Sequence, residues 1–133
     1  MGVKNVSRNT LIAASSKVAD SLLARAIGLM FSKPTEAAMI LSFPNEKVVS
    51  LHMFFVFFPI DVLFVDGSMR VVELVKSLAP FTTYSARQKA KFAVELPAGS
   101  IAKSRTRIGD TISFLKVVEK KIPNGRSITV SQA

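Results

Sequence analysis

The chain has 133 residues, no Cys and a formal net charge of +9 at pH 7, with 49% apolar and 20% charged residues. That length suits one domain able to bury about two-thirds of its unfolded surface, and the apolar share excludes a disordered chain. Without Cys, a disulfide framework, a thiolate metal site and a Cys nucleophile are excluded. The charge is uneven: residues 1–66 carry six Lys/Arg against five Asp/Glu, residues 67–133 twelve against four.

Met1 to Lys17 holds no apolar run of signal-peptide length. Thr10 to Ser15 reads as a short strand, and Ser16 suits a helix N-cap. From Lys17 to Ile27 the apolar residues fall on one side of a helical wheel, and Gly28 is placed to end the turn. The spacing therefore predicts one main helix over about 17–27. Ala38 to Phe43 reads as a buried strand, and Pro44 to Lys47 as a turn or exposed loop.

Leu51 to Val65 is the most apolar stretch and holds five of the ten Phe residues. Within the wider run Val48 to Val65, Ser50, His52, Pro59 and Asp61 break a membrane span, and Phe and Val favour strand. The reading is two strand segments parted near Pro59, in a soluble, cytoplasmic protein. Asp66-Gly67-Ser68 signals a turn, and Arg70 to Lys76 alternates as a strand with Glu73 as its oddity. Pro80 to Lys91 looks irregular, a loop long enough to cover a sheet edge. Phe92 to Leu96 resumes as strand, Pro97-Ala98-Gly99 stops it, and Thr111 to Val118 follows the Gly109-Asp110 turn. Pro123-Asn124-Gly125 marks a hairpin returning through Ser127 to Val130. No repeat or linker divides the chain, so residues 1–133 read as one domain, with 1–8 and 127–133 expected to fray.

Few residues carry chemistry. His52 is the single His, too few for a zinc site, so no metal is expected. No nucleophile elbow, phosphate loop or dinucleotide motif is present, so no catalytic residue or cofactor is assigned and an enzyme is not favoured. Asp61 sits among apolar neighbours, where an ionised carboxylate needs a partner; His52, Arg25 and the amides around Pro59 are the candidates. A structural ion pair or capped bend is the simpler reading, and a ligand-facing carboxylate or general base the functional one. Arg87, Lys89 and Lys91 alternate, as do Lys103, Arg105 and Arg107, and on extended backbone each trio would place its charges on one face. That spacing suits phosphates, although a solvated strand edge that deters aggregation is the simpler reading.

Taken together, Arg25-x-x-Gly28-Leu29-Met30, His52-Met53, Ile60-Asp61-Val62-x-Phe64-Val65-Asp66, Glu95-Leu96-x-Ala98-Gly99 and Gly109-Asp110 form a longer pattern. Across about residues 17–118 it resembles domain-of-unknown-function family one hundred and ninety-two. Many relatives carry Trp-Met where this chain has His52-Met53, and the His form resembles the archaeal branch. The resemblance implies a strand-rich α+β fold with a small barrel-like, mostly antiparallel sheet, and no established activity, substrate or cofactor. It maps family positions onto Arg25, Met30, His52, Met53, Asp61 and Glu95, as well as Gly99.

The expectation that follows is a non-enzymatic ligand- or peptide-binding protein with a polar pocket near Arg25, His52 and Asp61. The alternatives are nucleic-acid association through the basic C-terminal half and, more weakly, an enzyme using Asp61 or His52 as base.

Overall fold

A computed structural model of the chain describes residues 2–132 except 22, 23, 26, 27 and 122. The strands run in the order β1 (Gly2–Asn5), β2 (Thr10–Ala13), β3 (Ser16–Ala19), β4 (Ala38–His52), β5 (Ile60–Val65), β6 (Val71–Leu78) and β7 (Thr83–Pro97). A short helix α1 (Ser100–Ser104) then leads to β8 (Ile112–Lys121) and β9 (Ser127–Gln132). Two sheets result, one ordered β2-β1-β8-β9 and the other β3-β4-β7-β5-β6. Pairing is antiparallel throughout except between β3 and β4. The α+β class holds, while the sheets do not close into a barrel.

Strand β5 explains the arrangement. All six of its residues are buried, which an alternating strand achieves only when both sheet faces are covered. Val62 and Phe64 join Leu41, Val49 and Leu51 in one core. Leu63 and Val65 point the other way, to a second core shared with Val3 and Ile112 of the smaller sheet and Ile101 of α1. The five-stranded sheet is thus a central layer with a core on each side.

Asp61 lies on the same side as Leu63 and Val65, by the period of two. Its carboxylate is 1% exposed. It accepts hydrogen bonds from three backbone amides, Ser77 at 2.9 Å, Gly99 at 3.1 Å and Ile101 at 2.9 Å. One side chain therefore joins β5 to the end of β6 and to the start of α1. Another polar knot fastens the smaller sheet. Asp110 accepts from the Asn5 side chain, the Arg8 guanidinium and the Arg107 amide. Asn5 also donates to Thr106, whose hydroxyl meets that of Ser104.

Several local expectations give way to tertiary pairing. Ser16–Ala19 is strand, not the start of a helix over 17–27, because its backbone pairs in parallel with Ala38–Leu41. Helical conformation appears at Ala24 and Arg25, the rest of that expectation lying on Asp20, Ser21 and the undescribed residues 22, 23, 26 and 27. The cap is Ser21 instead of Ser16: its hydroxyl accepts from the Ala24 amide at 3.1 Å. Gly28 follows with φ 46°, the left-handed conformation expected of it.

Pro44 to Lys47 is exposed but does not turn the chain; it is a register shift within β4, where a Pro lacking its N–H is tolerated. Most of Pro80 to Lys91 is strand, since β7 begins at Thr83 and pairs with β4. Gly2–Asn5 is an inner strand between β2 and β8, with Val3 fully buried.

Replacing Asp61 by Ala strands three amides at once. An unpaired buried group costs about 1–3 kcal/mol, so Asp61→Ala is expected to lose about 3 kcal/mol or more in urea denaturation. A loss below about 1 kcal/mol would show that these amides find other partners.

Candidate functional site

On the side of the central sheet opposite Asp61 lies a cavity of about 280 Å³. Arg25, Met30, His52, Met53 and Glu95 all line it, together with Leu29, Phe43, Lys47, Leu51 and Val56. Five of the six ligand candidates thus meet in one space. Asp61 does not join them. The register pairs Asp61 with Leu96 and Val62 with Glu95, so Asp61 and Glu95 project to opposite faces of the sheet. The pocket near Arg25 and His52 is therefore not built around Asp61, whose carboxylate is spent on backbone amides. The His52–Asp61 and Arg25–Asp61 partnerships fail for the same reason.

Each lining group is placed by local structure. The Arg25 guanidinium follows the Ser21-capped turn and donates to the carbonyls of Asp20 at 2.7 Å and Ser42 at 2.9 Å. It also lies 5.1 Å from the centre of the Phe43 ring, over which Lys47 sits at 5.5 Å. His52 ends β4, stacks on Phe54 at 5.3 Å, and accepts the Phe54 amide at Nδ1. Met53 is fixed through its backbone, donating to Thr82 and accepting from Phe81. These bonds hold the cavity wall against the start of β7.

Glu95 is the unusual member. It is 7% exposed, and among the described residues no group donates a hydrogen bond to its carboxyl and no cation forms a salt bridge with it. Burial alone pushes its pKa up to about 7 from an ordinary 4.5. It also borders a second cavity of about 230 Å³, lined by Pro34, Phe58, Pro59, Ile60, Leu96 and Pro97 among others. Leu29 and Glu95 line both spaces, so the carboxyl stands on the partition between them.

Two other buried acids show the contrast. Burial would raise Glu73, but the Tyr84 hydroxyl and the Arg87 and Gln88 amides bring it below its ordinary value. Burial likewise opposes ionisation of Asp110, and Asn5, the Arg107 amide and Arg8 overcome it.

Beside the cavity the chain exposes a cluster of aromatic rings. Phe31, Phe54, Phe55, Phe57 and Phe81 are all exposed, Phe31 by 69%. Phe31 stacks on Phe55 at 4.8 Å, and Phe81 meets Phe55 and Phe57 edge-on. Phe31, Phe55 and Phe81 each hold φ between 56° and 59°, a conformation uncommon for bulky side chains. The one available signal was the run Phe54-Phe55-Val56-Phe57-Phe58-Pro59, which keeps no strand alternation before its Pro.

The basic trios are separated. Arg87 and Lys89 are exposed on β7, with Lys91 half-buried, whereas Lys103 lies in α1 and Arg105 caps it in left-handed conformation. Lys103, Arg105 and Arg107 thus do not form one face of an extended strand. Among the described residues no helix is long and apolar enough to cross a membrane, and no cluster of acidic and His side chains could hold a metal ion.

The fold and cavity define a strand-rich α+β protein whose central sheet carries an apolar pocket with one buried acid. A family model, DUF192 (uncharacterized ACR), matches residues 3–114, and the chain belongs to that family. A UPF0127 protein of Pyrococcus horikoshii is 35% identical over 113 residues, 84% of this chain and 97% of its own length. The crystal structure of a protein of unknown function from Novosphingobium aromaticivorans superposes with a TM-score of 0.75 at 21% identity, covering 85% of this chain and 82% of that one. A Sinorhizobium meliloti protein, named provisionally as a transcription regulator, gives 0.71 at 20% identity over 74% of this chain and 79% of that one. At those identities the two structures share the fold.

The Glu95 carboxyl makes stability depend on pH. Between about pH 4.5 and 7 the unfolded chain has lost this proton and the folded chain keeps it, so stability falls as pH rises and levels off above 7. The shift corresponds to about 3 kcal/mol. Glu95→Gln is expected to gain about that much on the native protein between pH 4.5 and about pH 8, read from urea midpoints. Glu73 and Asp110, which lose their contribution only at lower pH, are common to both proteins. A constant difference across the range would mean that Glu95 ionises freely.

Proposed function

We propose that this chain is a non-enzymatic binding protein that takes a small, mainly apolar organic ligand into the cavity lined by Arg25, Met30, His52, Met53 and Glu95. One observation carries the reading: apolar walls enclose a space of about 280 Å³ with a few polar groups converging on it. Pockets that bind small molecules are concave and mostly apolar, with few polar groups to orient the guest. Leu29, Leu51, Met53 and Val56 supply the apolar surface. Unbranched Met side chains adapt to irregular shapes, and Met30 and Met53 are placed to do so here. Bonds to carbonyls preorganise Arg25, so a guest would not have to order it.

His52 and Glu95 line the same space. The exposed rings of Phe31, Phe55 and Phe81 beside it offer further apolar contact to a guest longer than the cavity.

Benzyl alcohol, a neutral aromatic of fitting size, serves as the probe. In amide-resolved NMR it is expected to move the resonances of Leu29, Leu51, Val56 and Glu95, and Met30→Trp, which fills the space, should abolish the response. Shifts confined to Phe31, Phe57 and Phe81, or no shifts at all, would refute binding in the cavity.

A further inference from the structure

A carboxylate inside a protein is expected to have hydrogen-bond donors or a cation beside it. Asp61, Glu73 and Asp110 obey, each with three donors. Glu95 alone among the buried acids has none among the described residues, although it is more than nine-tenths buried. Its strand neighbours offer nothing: Met39 on β4 and Val62 on β5 stand across from it. Of the groups lining the two cavities, the charged or titratable ones besides Glu95 are Arg25, Lys47 and His52, all in the first.

Arg25 is turned onto the carbonyls of Asp20 and Ser42 and the Phe43 ring, and Lys47 onto the same ring. Neither forms an ion pair with Glu95. His52 gives its Nδ1 to the Phe54 amide. The acid is therefore left for something that enters the cavity.

We propose that Glu95 is the anchor for a ligand's ammonium group, so that the cavity selects apolar primary amines over alcohols and carboxylates of the same shape. This rests on the binding reading above and names its ligand class. An ammonium ion brings three donors and a positive charge, which is what the Glu95 carboxyl lacks. A charge-assisted hydrogen bond is roughly twice as strong as a neutral one. The Met30 and Met53 thioethers in the cavity wall are adaptable, polarisable surfaces for the guest. The guest's apolar body would lie against Leu29, Leu51 and Val56.

Benzylamine, benzyl alcohol and benzoate separate the outcomes, titrated into the whole chain at about pH 8 by calorimetry or NMR. Benzylamine is expected to bind at least about tenfold more tightly than benzyl alcohol, with benzoate weakest. Glu95→Gln should remove the amine's advantage over benzyl alcohol. In the wild-type chain, intermolecular nuclear Overhauser contacts should place the amine's methylene beside Glu95 and its ring beside Leu51 and Met53, a result that needs no variant to fold. Equal affinity for amine and alcohol, an amine preference surviving Glu95→Gln, or tightest binding of benzoate would overturn the assignment while leaving the cavity a binding site. Failure of all three compounds to bind would remove the binding reading and this one with it.

Discussion

A carboxylate taken into an apolar interior must be given donors or keep its proton, and this constraint organises the whole molecule. Asp61 answers it with three backbone amides drawn from β6 and the start of α1. Glu73 uses the Tyr84 hydroxyl and two amides of β7, and Asp110 uses Asn5, Arg8 and the Arg107 amide. In each case at least two of the donors come from another element of the chain, so satisfying the charge also fixes how elements meet. Glu95 is the exception, and it is the acid that faces a cavity.

The division follows from strand periodicity. Asp61 and Glu95 occupy paired strands one register step apart, so they point to opposite faces of the central sheet. On one face Asp61 ties β5 to the end of β6 and to the start of α1. On the other, Glu95 looks into the space closed by the Arg25 turn and the end of β4. The donor-satisfied carboxylate of Asp61 and the cavity with Glu95 thus lie on different sides of the same three-strand core, β4, β7 and β5.

Much of this was legible in the sequence, and the failures have physical causes. The break near Pro59, the Asp66-Gly67-Ser68 turn and the strands of β5, β6 and β8 follow from local signals that tertiary structure does not oppose. The composite pattern from Arg25 to Gly109 pointed to the family. It also pointed to residues that the fold gathers into one cavity. What was not legible is direction. A lone Asp in an apolar run gives no sign of which face it serves, and here three amides supplied by residues 77, 99 and 101 decide it. The helix expected over 17–27 begins later because Ser16–Ala19 is captured by a parallel pairing with β4, a non-local contact that no window of sequence reveals. The exposed Phe cluster was not legible either, because apolar composition reports burial only on average.

The most direct test is the titration of the Glu95 side-chain carboxyl itself, followed by carbon-detected NMR in the ligand-free chain. A midpoint near 7 would show an acid held in the cavity without donors. A midpoint near the ordinary 4.5 would mean that Glu95 is already paired or hydrated, and the cavity would have no unsatisfied acid to offer a guest.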